Sequence, residues 1–197
     1  MAMPVLAMLT SMTTSLPLKV SFSHMGLFAH DAQALAAFYC RVLGFQITDR
    51  AGVTQLGQTP QDLIFLSVSP DEHHQIVIAP GRGANTPTTI NQIALEVDSL
   101  VALLEAKTIL EANHIADIIA MNHGGTWSLY FSDPEGNQIE LFARSDVYVP
   151  STATRPLDCT QSADAIVATT HSMANETPGS MTWEDWKLNF LRGKFKS

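Results

Sequence analysis

The feature that most constrains this 197-residue chain is that it repeats itself. Setting Ser23-His24-Met25-Gly26-Leu27 over Asn91-Gln92-Ile93-Ala94-Leu95 moves position 23 to position 91, a shift of 68 residues, and the segments that follow then coincide with little adjustment. In the first copy, Val20 to Ala29 reads as a strand. Asp31 then stands as N-cap to a helix whose apolar stripe runs through Ala34, Leu35, Phe38, Tyr39 and Val42 and stops at Gly44. Strands are expected over Phe45 to Asp49, Leu63 to Val68 and Gln75 to Ala79, before Pro80, Gly81, Gly83 and Pro87 break the chain. The second copy follows the same order. Ile90 to Val97 reads as a strand, Ser99 caps a helix through Leu100, Leu103, Leu104, Lys107 and Leu110, and Asn113 ends it. Ile115 to Met121, Thr126 to Phe131 and Gln138 to Phe142 supply three more strands, the last two joined by the turn-forming run Asp133-Pro134-Glu135-Gly136-Asn137. Neither copy is large enough to cover both faces of a four-stranded sheet. The expected fold is therefore α+β: two tandem βαβββ modules, residues 18–80 and 88–145, forming a paired, half-barrel-like mixed β-sheet around a central pocket.

Composition narrows the function. With 46% hydrophobic residues the chain matches a globular average and is not disordered as a whole. No apolar run is long enough for a membrane span, so no membrane partner is expected. A formal charge of −8, with basic residues clustered only at Arg192, Lys194 and Lys196, argues against nucleic acid. Cys40 and Cys159 have neither the number nor the spacing of a disulfide framework or a zinc cluster, which fits a reducing cytoplasm. Residues 1–17 are apolar, with methionines at 1, 3, 8 and 12 and no basic start; they read as a ragged N-terminal segment.

A duplication matters for chemistry because equivalent positions in two copies related by a pseudo-twofold axis converge on one point. The first strands offer His24 and Gln92; the last strands offer Ile76-Val77-Ile78 against Ile139-Glu140-Leu141, making Glu140 the counterpart of Val77. His24 alone, on an apolar strand, reads more often as a hydrogen-bonded core histidine than as a ligand. Glu140, flanked by Ile139, Leu141 and Phe142, shifts the balance, because a carboxylate on a buried strand is costly unless it is paired or holds a metal. Gln92 fits either a ligand or a hydrogen-bond partner of Glu140.

The duplication, Phe38-Tyr39 followed by Leu43-Gly44-Phe45, and the run Tyr130 to Glu140 resemble the vicinal oxygen chelate superfamily of glyoxalases, bleomycin and fosfomycin resistance proteins and extradiol dioxygenases. The likeness covers about residues 18 to 145. Through His73-His74 and Asn122-His123-Gly124-Gly125 its flavour is similar to single-module type I extradiol catechol dioxygenases. That resemblance implies a divalent metal, foremost Fe(II), with Mn(II), Ni(II) or Zn(II) as substitutes. The implied ligands are His24, Gln92 and Glu140, with His74 as acid/base and Tyr130 facing the substrate. Gln92 departs from the pattern, standing where extradiol enzymes carry a second histidine, and the weaker, harder amide donor lowers the expected iron affinity. Val77 stands where glyoxalase isomerases place a fourth ligand, and an aliphatic side chain cannot coordinate.

The implied activity is Fe(II)-dependent extradiol-type ring cleavage of catechol-like diols, with a small aromatic substrate and dioxygen as partners. A metal-free protein that sequesters a small molecule is the alternative, and lyase or isomerase action on a glutathione adduct is a weaker one. A homodimer or higher homo-oligomer is expected, since members of the family build the pocket within one chain or share it between two. His74 precedes Val77 by three positions, so strict alternation places it on the opposite face unless it acts from the start of the strand. His73 is the fallback for the acid/base role, though beside Asp71 and Glu72 it reads more readily as a solvated loop residue, and His123 reads as a substrate contact or a bystander. Trp127, Phe28 and Phe65 read as pocket lining or ordinary core. Residues 146–197 form a Ser/Thr-rich tail whose periodic segment, Thr182 to Lys194, predicts a terminal amphipathic helix docked on the core, a lid, or a dimer contact.

Overall fold

A computed structural model describes residues 21–53 and 61–194. The expected N-terminal segment 1–17 lies outside them. Strands β1 (Met25–Ala29), β2 (Gln46–Val53), β3 (Gln61–Ser67) and β4 (Ile76–Pro80), with helix α1 (Ala32–Leu43), form the first module; β5 (Ile93–Glu96), α2 (Leu100–Ala112), β6 (Ile119–Asn122), β7 (Thr126–Ser132) and β8 (Gln138–Arg144) form the second. The first sheet has the order β1-β4-β3-β2. The second repeats that order as β5-β8-β7-β6, with a further strand, β10 (Arg155–Pro156), paired to β6. In each module the first strand lies parallel to the last, and the other pairings are antiparallel. Among the described residues the architecture is mixed α+β, with two sheets of mixed strands, a small two-stranded sheet in the tail, and no closed barrel.

The helix ends follow the local chemistry of the chain. The Asp31 carboxylate accepts from the backbone N–H groups of Gln33 and Ala34, satisfying donors left over at the first turn of α1. Gly44 closes the helix at φ 76°, a left-handed conformation that favours glycine. Ser99 caps α2 through the N–H of Ala102, and Asn113 ends it. Each helix lays its apolar stripe on one face of its sheet. A single buried cluster contains Leu27, Leu35 and Ile78 of the first module, Leu103, Leu129 and Ile139 of the second, and Ile166 of the tail.

The modules are also joined by polar contacts at the β7–β8 turn. Asp133 gathers the turn, accepting from the N–H groups of Glu135 and Asn137 and from the Asn137 side-chain amide. Glu135 reaches into the first module, accepting from the N–H of Asp31 at 2.8 Å and pairing with Arg82 at 3.2 Å, with both side chains largely buried. Burial works against ionising Glu135, but the backbone N–H groups of His30 and Asp31, with the charge of Arg82, outweigh it and hold the carboxyl below its ordinary range.

Several expectations need correction: β5 begins at Ile93, leaving Gln92 just ahead of it rather than on the expected strand Ile90 to Val97, and β6 begins at Ile119 rather than Ile115. The expected first strand, Val20 to Ala29, contains His24, whereas β1 begins at Met25, leaving His24 just ahead of it. The tail holds more than one helix: β9 (Val147–Tyr148), β10, α3 (Ala163–Glu176), β11 (Met181–Thr182) and α4 (Trp183–Leu191). Helix α3 escapes a periodicity reading because only Ile166, Thr170 and Met173 are buried along its 14 residues, and one of these is polar.

Candidate functional site

Strand register confirms the equivalence on which the site depends. Gly26 of β1 pairs with Val77 of β4, and Ala94 of β5 pairs with Glu140 of β8. Glu140 and Val77 are therefore counterparts, one a buried carboxylate and the other aliphatic.

On β8, Ile139, Leu141 and Ala143 are buried in the core, which sends Glu140, Phe142 and Arg144 to the other face. Across the register, Tyr130 stands opposite Glu140 and Ser128 opposite Phe142. This face carries a continuous polar row. Gln92 donates through Nε2 to Glu140 Oε2 at 2.8 Å, Tyr130 donates its hydroxyl to Glu140 Oε1 at 2.6 Å, and His123 Nε2 lies 2.9 Å from the Tyr130 oxygen. Burial first, then the hydrogen bond and negative charge of Glu140, push the Tyr130 phenol up to about 12, with Ser128 opposing slightly. Tyr130 is thus a proton donor at neutral pH.

The corresponding part of the first module gathers histidines. The His24 and His74 rings lie 4.3 Å apart between centroids, Phe65 packs edge-on against His74 at 5.1 Å, and His73 Nδ1 is 2.9 Å from His74 Nδ1. Phe65 pairs with Val77 in the register, as Tyr130 does with Glu140. His74 precedes β4, so strand alternation does not bind it, and it reaches His24 from the start of the strand. Burial, then the neighbouring His24 and His73, lower its pKa against a smaller upward pull from Glu72, which favours a neutral imidazole able to accept a proton.

The starts of β1 and β5 share a cleft of about 540 Å³, with Ser23 and Met25 on one side and Gln92 and Ala94 on the other. The structure thus joins Gln92, Glu140 and Tyr130 directly, and His24 and His74 directly. Among the described residues no hydrogen bond, ion pair or ring contact links His24 to Gln92 or Glu140. Nor do three His, Cys, Asp or Glu side chains form a metal-holding group among them. The candidate ligand set instead comprises one imidazole, one amide and one carboxylate. Gln92 uses its nitrogen on Glu140, so its oxygen, the atom a hard cation takes, is not consumed by that contact, and each Glu140 oxygen retains a further lone pair. By donor type, an imidazole nitrogen, an amide oxygen and a carboxylate suit a divalent cation.

Of the residues read as pocket lining, Trp127 is buried in the core with its indole N–H on Thr170, Phe28 is exposed, and Phe65 sits against the histidines. Asn122 and His123 stand in a motif read from the sequence, but two of their contacts were not foreseen: the buried Asn122 side chain donates to Thr170 and accepts from the N–H of Gly124, and His123 meets Tyr130. The second had a signal: His123 stands just ahead of the strand that begins at Thr126, and alternation from Thr126 leads to Ser128 and Tyr130.

Residues 21–141 match the Glyoxalase/Bleomycin resistance protein/Dioxygenase superfamily, and the chain belongs to that family. Biphenyl-2,3-diol 1,2-dioxygenase 2 of Rhodococcus globerulus is 27% identical over 125 residues, covering 61% of this chain and 60% of that protein. The chain therefore matches only about three-fifths of that relative's length. The uncharacterized protein YwbC of Bacillus subtilis is 28% identical over 123 residues, covering 61% of this chain and 95% of that protein. Among solved structures, a glyoxylase/bleomycin resistance protein/dioxygenase domain from Frankia aligns with a TM-score of 0.52 at 18% identity, over 66% of this chain and 95% of that one. That likeness concerns the fold.

Proposed function

We propose that the protein is an extradiol-type ring-cleaving dioxygenase, or a close relative, acting on small catechol-like diols. The observation that carries this reading is the Gln92–Glu140–Tyr130 row, with a buried carboxylate at the position the duplication singles out. The biphenyl-diol dioxygenase relative supports the substrate class. His24, Gln92 and Glu140 would hold a divalent metal, Fe(II) in this reading, which supplies a Lewis-acid centre for the two diol oxygens and for dioxygen. Tyr130, whose hydroxyl donates to Glu140, keeps its proton near neutral pH and would face the substrate. His74, biased neutral beside His24, accepts the diol proton. The test is anaerobic Fe(II) loading followed by a panel of catechols, reading the yellow ring-fission product and oxygen consumption. Turnover of at least one catechol is expected; a loaded protein that consumes no oxygen with any of them removes the reading.

One observation favours a second reading, a metal-free small-molecule binding protein. Both Glu140 oxygens already accept hydrogen bonds from neighbouring side chains, so the carboxylate has partners without a cation. Elemental analysis of anaerobically purified protein separates the two, because a binding protein carries no stoichiometric iron, manganese, nickel or zinc.

A further inference from the structure

The loop that carries His123 is held not only by its own module but also by residues outside the family-matched stretch of residues 21–141. Asn122 and Thr170 form its buried hinge point. The Asn122 amide donates to Thr170 Oγ1 at 2.9 Å while its oxygen accepts from the N–H of Gly124 at 2.8 Å. Thr170 also accepts from the Trp127 indole at 2.9 Å and donates to the Ile166 carbonyl, so its hydroxyl is fully used in a position with 0% exposure.

Ser145, at the end of the second module, and two further tail residues close on the same loop. Ser145 donates to the Gly124 carbonyl at 2.5 Å, and its own N–H bonds to the Gly125 carbonyl. Val149 lies so close over Gly124, which has φ +74°, that a Cβ there would meet it at 2.5 Å. Trp183 packs over Gly125, with its indole N–H on the Ser145 carbonyl. Strand β10 adds Arg155 opposite Asn122 on β6. A chain merely passing this loop would not commit a buried amide, a buried hydroxyl, a strand pair and an indole to it.

We infer that the C-terminal tail is a working part of the site: Thr170, bonded to Asn122 of β6, Val149 over Gly124 and Trp183 over Gly125 are positioning residues that hold the His123 loop so that the imidazole meets Tyr130. The inference rests on the reading of the Gln92–Glu140–Tyr130 row as the polar wall of the site. It assigns the tail a task that no lid or oligomer contact would perform, setting the far end of that row from behind the sheet.

The test uses the full chain labelled with ¹⁵N-histidine, with the His123 ring resonances assigned through His123→Gln. Thr170→Val keeps the side-chain shape but removes the hydroxyl. It is expected to move the His123 ring resonances toward those of a solvated histidine, with Thr170→Ser restoring them. Leu110→Ala on α2 serves as a control that destabilises the core elsewhere; it is expected to leave the His123 signals in place. Should Thr170→Val not fold, Val149→Ala, which opens space over Gly124, is expected to produce the same displacement. Unmoved His123 signals in a folded Thr170→Val or Val149→Ala protein, or equal movement in Leu110→Ala, would overturn the inference. Catechol turnover by the Fe(II)-loaded chain is read separately. Displaced signals without turnover retain the positioning role and remove the dioxygenase reading, whereas turnover with unmoved signals does the reverse.

Discussion

Tyr130 and Glu140 stand directly opposite each other on β7 and β8, and the phenol donates to the carboxylate at 2.6 Å. A carboxylate that is 8% exposed in an apolar strand depends on such donors. Tyr130→Phe removes one of them while preserving the ring. A hydrogen bond to a charged group contributes about 2 kcal/mol, so the variant should lose stability of that order in chemical denaturation. An unchanged midpoint would mean that Glu140 finds equivalent partners without the phenol.

Gln92 is the residue at which the ligand set departs from the extradiol pattern. Gln92→His exchanges a hard amide oxygen for an imidazole nitrogen and should tighten Fe(II) binding by about tenfold, or ~1.4 kcal/mol. Anaerobic titration of both proteins measures this. Equal or weaker binding by the histidine variant would place Gln92 outside the metal's reach and leave it as a hydrogen-bond partner of Glu140.

The Arg82–Glu135 pair holds the two modules together from a largely buried position. Glu135→Gln leaves the guanidinium without its counter-charge and should cost about 3 kcal/mol near neutral pH, measured by denaturant melts. Because the folded carboxyl is held below its ordinary range, its contribution is fully present above the unfolded value of about 4.3 and disappears as pH falls through the lower folded value. Wild type and variant should therefore converge in acid. A gap that persists or widens there would assign the effect to packing.

Gly124 combines a φ of +74° with Val149 packed against the space a side chain would need. Gly124→Ala should cost about 3 kcal/mol or more, since left-handed backbone and overpacking each contribute. Thermal melts report it. A loss below about 1 kcal/mol would show that the loop and β9 yield easily.

The repeat was legible because both copies use the same local chemistry. Asp31 and Ser99 cap the equivalent helices as the sequence suggests, and the turn from Asp133 to Asn137 closes as its composition predicts. Register then places Glu140 at the position equivalent to Val77, because a 68-residue shift carries Gly26 onto Ala94 and each pairs with its module's last strand. What stayed hidden depends on contacts across long separations. Thr170 looks like any polar helix residue until Asn122 and Trp127 are seen to converge on its hydroxyl, 48 and 43 positions away. His74 also resisted strand logic, because it lies before β4 where alternation has not begun.

The most direct test of the account is the iron content of wild-type and Glu140→Ala protein after anaerobic Fe(II) reconstitution and desalting. If His24, Gln92 and Glu140 surround one cation, the wild type retains iron stoichiometrically and the alanine variant retains none. Iron held equally by both proteins, or by neither, would contradict it.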